Sequence, residues 1–191
     1  GSPSSGDSAI SVAASTTGFQ TAPYIEYTVD TETHYIPYTT SYNPFTTTIT
    51  ADLVDVETFD VSAEPGELCD ITGVAADTLA GDIALIKRGT CSFNQKINNA
   101  EALGAVAAVI YNNIAGTIGM LTDDSTLPAG SILQSDGLTL KGLAPIEISI
   151  GPDSNVMTFV AEEPPDTIAS FSSRGPRGFD SKLKPEITAP G

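Results

Sequence analysis

Basic residues are scarce in this sequence: eight Lys+Arg stand against 24 Asp+Glu among 191 residues, a formal charge of −16. A surface that negative repels phosphate backbones and anionic membrane surfaces, which sets nucleic acid and membranes aside as partners. Histidine occurs once, as His34, far in sequence from either cysteine, so no base accompanies a thiol nucleophile. Cysteine occurs twice, as Cys69 and Cys91, too few for a zinc site built on four ligands. Long apolar runs are missing as well. The most apolar window, Ala102 to Tyr111, is far shorter than a bilayer span and suits a core strand. The first residues carry no basic-then-apolar leader, so no targeting segment is expected there.

What is present is 40% hydrophobic residues, enough for one compact domain with a core plus peripheral segments. The chain is organised around Gly81 to Asn113, GDIALIKRGTCSFNQKINNAEALGAVAAVIYNN. Ile83 to Ile86 is a continuous apolar run of strand length, fit for burial on both faces. Arg88-Gly89-Thr90 makes a turn. Ser92 then stands where it can cap a helix, with Gln95 three residues on to reach back to it. Phe93, Ile97, Ala100, Leu103 and Gly104 recur at three- and four-residue spacing, one side of that helix. Gly104 suits its end. Ala105 to Tyr111 is a second buried strand. Strand, helix and strand with so short a crossover make a βαβ unit whose strands are parallel.

These residues carry a resemblance. GDIALIKRGTCSF followed by NNAEALGAVAAVIYNN resembles the core signature of the protease-associated (PA) domain. The resemblance implies a mixed, strand-rich α/β fold: the PA-domain fold, β-sheets with a βαβ unit and few short helices. The flanks carry a second one. TIASFSSRGP from Thr167 and LKPEITAPG from Leu183 resemble the segment of subtilisin-like serine proteases that lies shortly before their nucleophilic serine. SPSSGDSAISVAASTTG resembles the strand region just before that segment. Residues 1–18 and 166–191 then read as fragments of a subtilisin-like catalytic domain, with a PA domain over 19–165 inserted between them. Insertion requires ends that meet at the surface.

The rest of the chain reads as strands and turns. Ser8 to Ala14, Tyr24 to Val29, Thr33 to Tyr38 and Thr46 to Val56 are strand-like, the last three as an antiparallel meander. Residues 57–80 look like loop. Residues 116–130, GTIGMLTDDSTLPAG, look too polar and glycine-rich for core. Ser135 is placed to cap a short helix from about Asp136 to Leu143, with Leu138 and Leu140 as its apolar contacts and Gly137 as a weakness. Pro145 to Ile150 and Val156 to Val160 complete the sheet.

Cys69 and Cys91 are either two free thiols or a bridge. The acidic, lysine-poor composition fits secretion, and a loop of that size closed by a disulfide gains roughly 3 kcal/mol in the chain-entropy model, so a disulfide is expected. Asp123, Asp124 and Ser125 offer oxygens to calcium but fall short of the six to eight that the ion takes. Lys87 and Arg88, at the end of a core strand, can pair with carboxylates or with a substrate terminus, and structural pairing is the expected use. Ser172 and Ser173 have no local base, and turn geometry accounts for them.

No Asp/His/Ser triad is present, so no catalytic, cofactor-binding or metal residue is assigned, and the segment alone is expected to be inactive. The resemblance implies a non-catalytic PA domain of a secreted, extracellular subtilisin-like serine endopeptidase that modulates recognition or access of protein substrates. It leaves room for calcium in that parent protease. Partners would be protein or peptide substrates and the remaining catalytic domain. The candidate contact is the loop bearing Thr117, Met120, Thr122, Asp123 and Asp124, whose composition promises little burial. The alternative is a peptide-binding luminal PA domain of a sorting receptor or another non-enzymatic extracellular protein.

Overall fold

A computed structural model of the chain describes residues 12–15, 17–120, 122, 125–161, 165, 167–168, 172 and 187–190. In chain order its strands are β1 (Val12–Ser15), β2 (Phe19–Val29), β3 (Glu32–Pro37), β4 (Thr39–Thr40), β5 (Ile49–Asp55), β6 (Ile83–Lys87), β7 (Ala107–Tyr111), β8 (Ala129–Ile132), β9 (Ile146–Ile150), β10 (Val156–Val160) and β11 (Ile187–Pro190). Helix α1 spans Phe93–Ala102 and α2 spans Gln134–Leu143. A nine-stranded sheet runs β10-β2-β9-β5-β6-β7-β8-β4, with β3 on β2, and β1 pairs with β11 in a separate two-stranded sheet. The fold is mixed α/β and strand-rich.

The centre of the large sheet is parallel. β6 pairs with β7 from Ile83↔Ala107 to Lys87↔Tyr111, joined by α1. The parallel run extends further than the sequence suggested. β2 and β3 pair antiparallel as expected, but β5 does not continue that meander: it lies between β9, antiparallel, and β6, parallel, and β7 lies parallel to β8. β8, Ala-Gly-Ser-Ile, is buried at all four residues. It escaped the sequence reading because a short strand covered on both faces shows no alternation. Its Gly130 is needed because a Cβ there would stand 2.8 Å from the Tyr38 ring.

Residues along β6 alternate between two cores. Ile83 and Leu85 join Val109, Tyr111, Ile132 and Leu140 on the α2 face. Ala84 and Ile86 join Ile97, Ala100, Ile110 and Leu127 on the α1 face. Removing the Ile, Leu and Val side chains among these from water stabilises by about 1.5–3 kcal/mol each. The 57–80 segment is irregular, as expected, yet it carries fully buried Leu68 and Leu79. Its end is tied to the helix end through Leu79 N–H to Leu103 O (2.9 Å) and Gly81 N–H to Gly104 O (3.1 Å).

Both helices begin differently from expectation in one respect each. Ser92 does cap α1, accepting from Gln95 N–H at 3.2 Å, but the Gln95 side chain does not turn back; it donates to Cys69 O at 2.6 Å. Helix α2 starts at Gln134, capped by Leu133 with no side-chain bond, and the Ser135 carbonyl accepts from Thr139 Oγ1 (3.0 Å). Leu140 is fully buried, but Leu138 points to solvent at 54% exposure.

The chain divides into two compact units, residues 22–157 and residues 1–21 with 158–191. In the second of these, β1 and β11 run parallel from Val12↔Ile187 to Ser15↔Pro190. Ser15 also bridges Ile168, and Ala14 N–H donates to Ser172 Oγ at 3.1 Å. Ser173 and the expected strand residues before Val12 lie outside the described residues.

Candidate recognition site

The carboxyl ends of β6 and β7 are where an open α/β sheet gathers ligands. Arg88, one residue past β6, is anchored by its own N–H to Tyr111 O (2.9 Å), and its Nη1 donates to Asn112 Oδ1 (3.1 Å). Asn112 is buried at 1% exposure and is spent on its neighbours: Nδ2 donates to Gly116 O (2.7 Å) and Oδ1 also accepts from Asn113 N–H (3.0 Å). Gln134, opening α2, donates from Nε2 to Asn113 O at 2.8 Å. Among the described residues Arg88 has no carboxylate partner, although acidic residues outnumber basic ones three to one. Arg88 is half-buried, and a guanidinium has five N–H donors, so with one given to Asn112 the fork keeps donors for an incoming carboxylate. Lys87 instead turns inward to the chain, donating to Pro65 O at 3.3 Å.

The turn that carries Arg88 rests on a buried polar frame. Lys96, on the apolar face of α1 and fully buried, donates to Glu67 O at 2.7 Å and stands 3.6 Å from Glu67 Oε2. Glu67 Oε2 accepts from Thr90 N–H (2.6 Å) and Thr90 Oγ1 (2.9 Å). Gly89 leaves space for that carboxylate, since a Cβ would sit 1.8 Å from Glu67 Oε1. Burial by itself would push the Glu67 carboxyl up, but the Thr90 bonds and then Lys96 outweigh it and hold it below its ordinary value. Burial pulls Lys96 down, against the pull of Glu67. Asp60 ties the same loop: burial works to raise it, and bonds from Ser62, Leu68 and Gly66 overcome this and lower it.

Cys69 and Cys91 form a disulfide with Cα atoms 5.7 Å apart, 22 residues apart in sequence. Together with Asn99 Nδ2 donating to Leu68 O (2.8 Å), it fastens the 60–69 loop along α1. Replacing both cysteines with serine is expected to lower the unfolding free energy by about 3 kcal/mol, read from urea melts. A loss below 1 kcal/mol would mean that the polar frame alone holds the loop. Glu67, Cys69 and Cys91 bring an oxygen and two sulfurs within 4.8 Å. A metal does not fit there, because the sulfurs are bonded to each other and the Lys96 ammonium already faces the carboxylate.

The loop after β7 differs from its expected exposed character. Thr117 is exposed, but Met120 (4%) and Thr122 (3%) are buried along with Ile118 and Leu127. The cause is topological: the segment must return across the α1 face to begin the parallel β8, and it covers that face as it goes. Ser131 Oγ fixes it by donating to Ile118 O at 2.9 Å. Thr126 bonds to Glu101 and Asn43. Asp123 and Asp124 lie outside the described residues. His34 is half-buried on β3 and stacks on Tyr27, ring centroids 5.2 Å apart. The Asp60–Glu67–Lys96 frame was missed in the sequence. Its one signal is that Lys96, three after Phe93 and four before Ala100, falls on the apolar stripe of α1.

Comparison with known proteins agrees with this geometry. Residues 49–140 match the family model described as the PA domain. The chain is 31% identical over 192 residues to "Minor extracellular protease Vpr" of Bacillus subtilis, an alignment covering 100% of this chain and 22% of that protein. It is 38% identical over 107 residues to "Leucine aminopeptidase 2" of Trichophyton equinum, covering 54% of this chain and 20% of that one. Among solved structures, an aminopeptidase from Aneurinibacillus sp. strain AM-1 superposes with a TM-score of 0.51 at 26% identity, covering 77% of this chain and 35% of that chain. The chain spans about a fifth of the length of these two curated relatives. Residues 49–140 are thus a PA domain, carried in a chain whose relatives are proteases.

Proposed function

We propose that this chain is the PA segment, with adjoining pieces of the peptidase domain, of a secreted subtilisin-like serine endopeptidase, and that it modulates which protein substrates reach the cleft. The observation that carries this reading is the reach of the Vpr alignment, which takes in the whole chain with both flanks, whereas the aminopeptidase alignment takes in 54%. The subtilisin-like character rests on the resemblance of TIASFSSRGP and LKPEITAPG, and the parallel pairing of β1 with β11 supports it. A parallel pair is rarely left as two strands, and here it suits one interrupted sheet. On this reading residues 1–18 and 166–191 belong to the catalytic domain and 19–165 to the PA domain. The nucleophile, base and orienting carboxylate lie elsewhere in the parent, and any calcium would be held there too. Secretion accords with the disulfide and with the extracellular relative.

Recognition falls to the rim around Arg88, with the 116–130 loop beside it contributing exposed Thr117, while buried Met120 and the Ser131 bond to Ile118 O hold that loop in place and Thr122 is buried within it. Asp123 and Asp124 remain part of the proposed contact. Arg88→Gln in the parent protease is expected to raise KM for protein substrates about tenfold, the worth of a charge-assisted hydrogen bond. Turnover of a chromogenic tetrapeptide, too short to reach the rim, should not change. Equal loss on both substrates, or on neither, would overturn the reading.

A further inference from the structure

We infer that the Arg88 rim includes an aliphatic subsite formed by Ile114 and Leu138, so that the favoured ligand is an extended peptide carrying a carboxylate next to a leucine-like side chain. This rests on the recognition reading above and adds a specificity to it. Ile114 and Leu138 are 61% and 54% exposed. Lone exposed aliphatics mean little, but these two flank one bond. Gln134 Nε2 donates to Asn113 O, Ile114 follows Asn113, and Leu138 lies one helical turn past Gln134 on the same side of α2. Two segments far apart in sequence are therefore stitched together with an apolar side chain set on each.

Charge settles the kind of occupant. Asn112 joins this pair of segments to Arg88, accepting from its Nη1 while donating to Gly116 O. The Arg88 guanidinium is a cation without a carboxylate partner among the described residues of a chain of formal charge −16. It selects a carboxylate, and the neighbouring Ile114 and Leu138 select an apolar side chain beside it. A second copy of this acidic chain, or an anionic lipid surface, would meet repulsion over the rest of the surface.

The test is a titration of the 15N-labelled 191-residue chain with acetyl-Gly-Leu-Glu-Leu-Gly-amide, followed by amide chemical shifts. Shifts should concentrate in residues 112–116 and 134–138. Exchanging both leucines of the peptide for alanine, or its glutamate for glutamine, should each weaken binding about tenfold. Ile114→Ser and Leu138→Ser should erase the leucine preference and keep the glutamate preference; Arg88→Gln should do the reverse. Both serine variants alter exposed positions, and the wild-type shift map stands independently of how any variant folds. If the serine variants keep the leucine preference, the subsite is overturned while Arg88 recognition survives. If the wild type does not distinguish glutamate from glutamine, or no peptide shifts these residues, the recognition reading falls with it.

Discussion

Lys96→Met is expected to lower the unfolding free energy by about 3–5 kcal/mol, the cost of leaving one member of a buried ion pair alone. Lys96 is fully buried and Glu67 is 4% exposed, so water cannot take over the missing role. Glu67 would keep its bonds from Thr90 but lose the ammonium at 3.6 Å, while its own main-chain oxygen would lose the bond at 2.7 Å. The double variant Lys96→Met with Glu67→Gln should recover part of the loss, because the orphaned charge disappears with its partner.

The same pair sets a pH dependence. Glu67 is held below its ordinary value of 4.5 in the folded chain. The stability this contributes is fully present above the unfolded value and is lost as pH falls through the folded one, since the unfolded chain binds the proton first. Asp60, also lowered, acts in the same direction. In Lys96→Met the Glu67 carboxyl loses one of the influences that lower it, so the acid limb of its stability curve should begin at higher pH than in wild type. Urea melts at pH 7 and across the acid limb measure both effects. A loss under 1 kcal/mol with an unmoved acid limb would show that Thr90 alone stabilises Glu67.

How far the sequence disclosed this molecule depended on whether the determining contacts were local. The β6-α1-β7 unit was readable because its apolar spacing, Ser92 cap and Gly104 end all lie within about thirty residues and agree with one another. The disulfide was expected on grounds of compartment and loop size. By contrast, β8 owes part of its cover to Tyr38 and β4, far earlier in the chain, and the return loop owes its burial to the α1 face that it crosses. Ile118, Met120 and Thr122 sit among glycines, threonines and aspartates that describe a surface loop everywhere except on top of a sheet. The Arg88 rim was half legible. Its position at the end of a core strand was visible, but that Arg88 is left open while Lys87 is engaged by the main chain depends on where the 60–69 loop folds back. Lys96 shows the limit from the other side: its place on the helix stripe was in the sequence, and a lone lysine there reads as an error in the pattern until its partner in a distant loop is known.

Gly137 carries an expected effect of comparable size, and two physical effects compete for its sign. By helix propensity alone, alanine in the middle of α2 would stabilise by about 1 kcal/mol over glycine, and that preference made the glycine look like a flaw in the helix. Packing says the opposite. A Cβ on Gly137 would stand 2.1 Å from the Tyr111 Cβ and 2.3 Å from its ring Cγ, with Tyr111 on a central strand and 3% exposed. Neither side has a flexible end to yield, so α2 must lift or β7 must shift. Overpacking of this kind costs typically 1–3 kcal/mol and more when backbone is involved, which outweighs the propensity gain. Gly137→Ala is therefore expected to be net destabilising by about 3 kcal/mol, and Gly137→Val, larger and β-branched, by on the order of 5 kcal/mol. Thermal melts of both variants decide it. A rise in melting temperature for Gly137→Ala would mean that α2 is free to move off the sheet, and with it the Gln134 to Asn113 bond that joins the two halves of the proposed recognition rim.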